Sequence, residues 1–312
     1  MADPWIILAA CAVEGLAGHS APLHARIPHP VAWMGSLIAV LEGVWNDPAR
    51  PAAMRRALGA ATLAVVAVSA ALAGALIERA AAHLAWGGLV VALAGAFGLA
   101  GRSLYDHVVA VARPLQAGDL PAARTAVGHI VGRDVAGLDD SGIAAAGLES
   151  LGESFNDGVV APLFWFALAG LPGLFAYKAV NTADSMIGHM EPRWRDFGWA
   201  SARADDLLNL VPARIAGALL CLVAGRGWGV MRRDAAKHAS PNAGWPEAAM
   251  SGALGVSLGG PAAYEGVVVE RPDLGTGPRP SSGDLGRGLR LYLRACAAIV
   301  ALLFVGGLAW PR

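Results

Sequence analysis

Residues 58–77 read LGAATLAVVAVSAALAGALI, 20 positions without a charged side chain. At about 1.5 Å of rise per residue, a helix of that length spans the roughly 30 Å hydrocarbon core of a bilayer. Glu78, Arg79 and His83 follow as a short polar turn, and Leu84 to Ala100 returns, with Trp86 at interface level. The two runs predict a membrane hairpin. Its open ends carry Arg50, Arg55, Arg56, Arg102 and Arg113, its turn only Arg79. Arginine-rich loops stay in the cytoplasm, so the Arg102 side is expected there.

Composition agrees with the hairpin. The 312 residues are 55% hydrophobic and 15% charged, whereas soluble domains average about 25% charged. The formal net charge is +0, so nothing points to nucleic acid or to a strongly acidic partner. Cys11, Cys221 and Cys296 lie singly in apolar segments and read as small core residues. The first 21 residues lack a basic start and do not read as a typical signal peptide.

Outward from the hairpin, Pro4 to Gly18 is apolar around Glu14, and Val31 to Val44 is amphipathic with Leu37, Ile38 and Leu41 at helical spacing. Between them stand His19, His24, Arg26 and His29. Their spacing fits no metal motif of known geometry and favours a solvated or substrate-facing loop. Val159 to Val180 looks like a span but is interrupted by Pro162 and by Gly170-Leu171-Pro172-Gly173. Two half-helices are expected, re-entrant or forming a broken span, with protein covering the break. Leu207 to Ala224 is apolar around Arg214, which Asp206, two turns earlier, is placed to pair. Leu289 to Trp310 is the last span. The expectation is an all-α polytopic membrane protein, a single domain over 1–312, with about four to six membrane helices. Residues 101–157 and 225–288 are expected as long polar stretches on the cytoplasmic side. Asp119 with Pro121, and Pro246, mark helix starts within them.

The chemistry concentrates between residues 133 and 214. Glu149, Glu153 and Asp157 recur four apart on a helix from about Ser141 to Phe155, whose other face carries Ile143, Leu148, Leu151 and Phe155. Like charges at that spacing repel. An acidic row entering apolar Val159 to Trp165 therefore calls for a partner. Two readings stand: a Mg²⁺ held by at least two of the three, or ion pairs with Arg133 or Arg203. There is no phosphate-binding G-x-x-x-x-G-K-[ST] loop, no H-E-x-x-H and no G-x-S-x-G. Arginines, carboxylates and exposed helix starts, such as the one at Pro246, suit electrostatic handling of phosphates.

Several longer motifs stand in order along the chain. They are His29-Pro30-Val31, Arg102-Ser103-Leu104 with His107, Gly132-Arg133-Asp134, and Asp157-Gly158-Val159-Val160-Ala161-Pro162-Leu163-Phe164-Trp165. Tyr177-Lys178-Ala179 with Asn181-Thr182 and Asp184-Ser185-Met186, Ser201-Ala202-Arg203 with Asp205-Asp206, Pro212-Ala213-Arg214, and Ser240 to Glu247 follow. This set resembles the CobD/CbiB family of cobalamin biosynthesis, adenosylcobinamide-phosphate synthase. It departs from the family pattern at Glu14 to Pro28, at Gly152-Glu153-Ser154 and at Gly188-His189-Met190.

The resemblance implies a multi-pass protein of the bacterial cytoplasmic membrane. It implies a ligase that joins adenosylcobyric acid to (R)-1-amino-2-propanol O-2-phosphate as an amide, with ATP and Mg²⁺. The corrinoid site rests on resemblance alone. The candidate catalytic residues are Glu149, Glu153, Asp157 and Asp184, the first three also as metal ligands. Candidates for binding substrate or phosphate are Arg102, His107, Arg133, Lys178, Asn181, Arg203, Asp205, Asp206, Arg214, Asn242 and Glu247. The residues leave open a transporter, or a membrane scaffold for other enzymes of the pathway. They also leave open whether copies of the chain associate.

Overall fold

The computed structural model describes residues 2–18 and 29–310, so the expectations for His19, His24 and Arg26 lie outside the described residues. Among the described residues, five helical stretches are long and apolar enough to cross a membrane: Ala52–Ala81, Gly87–Gln116, Asp140–Ile187, Trp199–Ala224 and Ser282–Leu308. The fold is that of an all-α polytopic membrane protein. Contacts divide the chain into two compact units. One comprises Met1–Ala100, Ala161–Asn209 and Leu303–Arg312, the other Gly101–Val160 and Leu210–Leu302.

In the first unit, α1 (Pro4–Ala17), α2 (Pro30–Trp45), α3 (Ala52–Ala81) and α4 (Gly87–Ala96) precede a long helix, α5 (Ala161–Ile187). The α3 run begins before Leu58 and passes through Glu78 and Arg79, so of the polar residues expected in a turn only His83 lies beyond the helix. His29 opens α2, its Nδ1 accepting from the Val31 amide at 3.2 Å. One stripe of α3 is buried: Gly59, Thr62, Val66, Ala70 and Gly74. Between membrane helices, small residues replace hydrophobic force with close van der Waals approach. Val66 and Ala70 meet Ala179, Ala183 and Ile187 of α5, with Ile38 of α2 and Phe197 completing the cluster.

The expected break in α5 is present. Ala169 and Gly170 leave helical geometry, Gly170 at φ +65°. Pro172 has no amide hydrogen to give, and the Leu171 amide donates to Glu78 Oε1 at 2.7 Å. The carboxylate of α3 thus covers the break, as irregular backbone at membrane depth requires. A Cβ on Gly170 would lie 2.3 Å from Glu78 Oε1. Gly170→Ala is therefore expected to cost about 1–3 kcal/mol from left-handed strain and the lost cap. The check is the thermal midpoint of the detergent-purified protein, with Ala169→Gly expected to leave it nearly unchanged.

The second unit starts with α6 (Gly101–Gln116) and α7 (Leu120–Gly128). Asp119 caps α7 as expected, its Oδ1 accepting from the Ala122 amide at 3.0 Å. Asp139 does the same for α8 (Asp140–Phe155) through the Gly142 amide at 2.7 Å. Every residue of α8 from Ile143 to Gly152 is buried, so it is the core of the unit rather than a surface helix. Phe155 packs edge-on against Tyr292, ring centroids 5.6 Å apart. A π-helical turn, Asn156–Val160, follows. The later half of α9 (Trp199–Ala224) leads to α10 (Trp228–Asp234) and α11 (Gly244–Leu254), then to two antiparallel strand pairs. Strand β1 (Leu258–Gly259) pairs with β4 (Asp273–Leu274), and β2 (Ala262–Tyr264) with β3 (Val267–Val269). The last helix, α12, is Ser282–Leu308.

The stretches expected at 101–157 and 225–288 pack against each other within this unit, Glu149 bonding to Gly259 and Arg271. Groups in hydrogen-bond contact must share one face of a membrane. Single cysteines at Gly128 and Val268, in a background without Cys11, Cys221 and Cys296, are expected to react from the same side. That side is expected to be the cytoplasm on the arginine bias. Labelling of the two positions from opposite sides refutes the arrangement.

Candidate functional site

The second unit contains a cavity of about 510 Å³. Its walls come from the segment 130–133, one face of α8, the residues around His238, the start of α11, and the strand segment from Tyr264 to Pro272. Four of the expected site residues meet there: Arg133, Glu149, Glu153 and Glu247.

Glu149 is fixed from three directions. Its Oε2 accepts from Arg133 Nη2 at 3.0 Å and from Arg271 Nη2 at 3.1 Å, and its Oε1 accepts from the Gly259 amide at 2.8 Å. With side chains only 7% and 8% exposed, Glu149 and Arg133 form a nearly dry pair, where charge-assisted hydrogen bonds are strong. The ion-pair reading therefore holds for Glu149 and Arg133. The row does not continue into a metal triad: among the described residues no three His, Cys, Asp or Glu side chains converge as ion ligands do. Asp157 stands in the π turn and does not line the cavity. Asp157 takes a hydrogen bond from Asn156 Nδ2 at 2.7 Å.

Glu247 takes the third acidic position instead. It stands in the first turn of α11, 2% exposed, and its Oε2 has no hydrogen-bond partner. Its Oε1 lies 3.6 Å from His238 Nε2. His238 Nδ1 accepts from the Ser240 amide at 3.0 Å, which assigns the ring proton to Nε2, facing Glu247. Burial first, then the charges of Glu153 and Glu149, push the Glu247 carboxyl well above the usual carboxylate range. Burial and then Arg271 hold His238 below the ordinary histidine value. The cavity thus offers an acid whose burial favours the protonated form, an imidazole whose burial favours the neutral form, and cationic groups at Arg133, Arg271 and Lys237.

A second polar cluster lies in the first unit. Lys178 Nζ donates to Asn181 Oδ1 at 3.1 Å, and Asn181 Nδ2 to Asp205 Oδ1 at 3.3 Å. Asn209 Nδ2 donates to Asp205 Oδ2 at 2.9 Å, and the Tyr177 hydroxyl to Asn209 Oδ1 at 3.1 Å. Asp184 sits one turn beyond Asn181 on α5. Pro212 leaves the Leu208 carbonyl without its helical donor, and Trp165 Nε1 fills that place at 3.2 Å.

Other expected residues are placed differently. Arg214 was expected to pair with Asp206. It donates to the Leu210 carbonyl at 2.6 Å and to Asn242 Oδ1 at 3.2 Å, and stacks 4.7 Å over the Trp245 ring. Asp206 pairs with Arg203 at 3.2 Å, one turn away on an exposed face; eight residues of helix, about 12 Å, separate it from Arg214. Arg102 pairs with Asp106 at 2.9 Å on an exposed face of α6, and His107 Nδ1 lies 2.7 Å from the Ser103 carbonyl oxygen of the same helix. Neither Arg102 nor His107 lines the cavity. Sequence reasoning missed Arg271 and His238. Both lie within 225–288, expected only as a long polar stretch, and no periodicity marks either.

Comparison with known proteins follows the geometry closely. A family model described as CobD/Cbib protein matches residues 7–292. The chain is 49% identical over 311 residues to cobalamin biosynthesis protein CobD of Rhodobacter capsulatus, covering 98% of each chain. It is 41% identical over 308 residues to the protein of that name from Sinorhizobium fredii, covering 95% of this chain and 94% of the relative. To that from Brucella suis it is 42% identical over 298 residues, covering 92% and 91%. No solved structure gives a significant match. On near full-length similarity, and with the motif residues Arg133 and Glu247 meeting in one cavity, the chain belongs to the CobD/Cbib family.

Proposed function

We propose that the protein acts in cobalamin biosynthesis as an adenosylcobinamide-phosphate synthase of the bacterial cytoplasmic membrane. It would join adenosylcobyric acid to (R)-1-amino-2-propanol O-2-phosphate at the expense of ATP. The observation that carries this reading is the two-signed lining of the cavity, which brings Glu153 and the buried acid Glu247 together with Lys237 and Arg271. An amino-alcohol phosphate carries an ammonium and a phosphate a few ångströms apart, and such a wall is complementary to both.

In balanced form, a corrin carboxylate oxygen attacks the γ-phosphorus of ATP, giving an acyl phosphate and ADP. The amine nitrogen then attacks the acyl carbon, phosphate leaves, and the amine loses a proton. Arg271 and Lys237 bind and orient phosphate oxygens. Glu247, with its unpartnered Oε2, receives the proton of the attacking amine once the site is charged. Mg²⁺ neutralises phosphate charge during phosphoryl transfer. Of the residues on this wall, Glu153 is the carboxylate that would hold it, leaving Glu247 Oε2 for the proton.

The break at Gly170, which a carrier would use as a hinge, is closed by Glu78 and needs no transport reading. The deciding assay incubates detergent-purified protein with the three substrates. Amide product that requires both ATP and Mg²⁺ is expected, and its absence in a folded preparation rejects the assignment.

A further inference from the structure

His238 takes no part in the amide-forming steps, yet its ring is held from two sides. The Ser240 amide donates to His238 Nδ1 at 3.0 Å. A ring nitrogen that accepts a hydrogen bond carries no proton, so the imidazole is neutral with its N–H at Nε2. That nitrogen lies 3.6 Å from Glu247 Oε1. Behind the ring, an added Cβ on Gly244 would lie 2.7 Å from the His238 Cβ, so glycine lets the start of α11 close on the histidine. The same motif places Glu247. Ser240 Oγ accepts from the Asn242 and Ala243 amides, 3.2 Å each, where α11 begins. Arg214 donates to Asn242 Oδ1 and stacks on Trp245. On the opposite side, an added Cβ on Gly152 of α8 would lie 3.4 Å from Glu247 Cα, so the two helices are in contact there. Ser240 thus orients the imidazole with its amide and holds the helix carrying Glu247 with its hydroxyl.

We propose that His238 is a positioning residue, whose Nε2–H orients the Glu247 carboxyl for proton transfer. The inference rests on the ligase reading, in which Glu247 takes the proton of the attacking amine. His238 is not itself the base: Nδ1 is engaged by Ser240, and Nε2 already bears the proton. The separation of 3.6 Å is longer than a hydrogen bond. Contacts of this kind tighten when substrate binds and charge develops on the acceptor. Glu247 Oε2 has no partner, so support for the carboxylate comes at Oε1, the oxygen that faces the ring. A neutral donor suits a group that must take up a proton. A lysine or arginine in the same place would hold the carboxylate ionised and weaken it as a base. In the transfer the proton passes from the amine nitrogen to Glu247, and His238 keeps its own.

The test is amide formation by the detergent-purified full chain with its three substrates, read as kcat and each Michaelis constant. His238→Phe keeps a flat ring and has no N–H to offer. It is expected to lower kcat about 10–100-fold, the usual cost of losing an outer partner of a functional group. The Michaelis constants are expected to stay within about twofold, since substrate binding is not what the ring serves. His238→Gln carries an amide N–H that reaches about as far as Nε2, and is expected to recover kcat to within about fivefold of wild type. In a Glu247→Gln background, His238→Phe is expected to lower kcat by no more than about twofold further, because the group it orients is gone. Equal losses in the phenylalanine and glutamine proteins overturn the role, and so do losses that multiply in the double variant. His238→Ala replaces His238→Phe in both comparisons where the phenylalanine protein elutes as aggregate. These outcomes leave wild-type ligation intact. Folded wild-type protein that forms no amide rejects the ligase reading, and the positioning role with it.

Discussion

Glu149→Ala is expected to eliminate most of the folded protein from detergent extracts. The substitution leaves Arg133 and Arg271 facing each other, Arg133 almost fully buried, without the carboxylate that neutralises both. It also leaves the Gly259 amide without its acceptor. Breaking a buried ion pair by removing one partner costs about 3–5 kcal/mol, a large part of the stability of an ordinary domain. Glu149→Gln keeps the acceptor for Gly259 but not the charge, and is expected to fall between Ala and wild type. Arg133→Leu with Glu149→Leu removes both members and is expected to be milder than Glu149→Ala alone. Fluorescence-detected size exclusion after stepped heating gives the order. A Glu149→Ala protein as stable as wild type would show that the pair is not structural.

The second large effect is expected at Glu247, in activity rather than in folding. Glu247→Gln retains shape and is expected to lower kcat by about 10²–10⁴-fold, the usual contribution of a positioned acid–base group. Glu153→Gln is expected to lose activity that raised Mg²⁺ partly restores, because the amide oxygen still offers a weaker ligand. Asp157→Asn, outside the cavity lining, is expected to leave the Mg²⁺ optimum where it is. If Glu153→Gln loses activity with an unchanged Mg²⁺ optimum, the carboxylates act as ion-pair supports and the metal assignment falls.

The same residue gives a pH signature. A carboxyl whose folded pKa lies above its unfolded value holds more protons folded than unfolded throughout the interval between the two. Stability therefore falls as pH rises from the ordinary glutamate range towards the raised value, by up to about 1.4 kcal/mol per pH unit, and is level above it. Glu247→Gln is expected to flatten that slope. Equal slopes in wild type and Glu247→Gln, measured without substrates, would show that Glu247 is ionised like any surface acid.

The comparison of sequence with structure turns on how far each interaction reaches along the chain. Local rules carried well. The uncharged run at 58–77 is a spanning helix because a bilayer leaves the backbone no other way to satisfy its hydrogen bonds. Asp119 caps a helix because its side chain reaches an amide three residues on. The break at Gly170 was legible because glycine and proline mark it through backbone sterics alone. The motifs that identify the family were legible too, in order and nearly complete.

What the sequence by itself determined about this protein is thus its membrane class, its spans, its helix ends and its kinship. Only the tertiary structure decided which charges meet. Glu149, Glu153 and Asp157 are equivalent in spacing, yet Glu149 is taken by arginines 16 residues before it and 122 after it. Asp157 stays outside the cavity, and Glu247, distant along the chain, lines it. Arg214, beside Asp206 on paper, stacks on Trp245 instead. The physical reason is that a buried charge must be answered by whatever group packing brings within about 3 Å, and packing is a property of the whole chain.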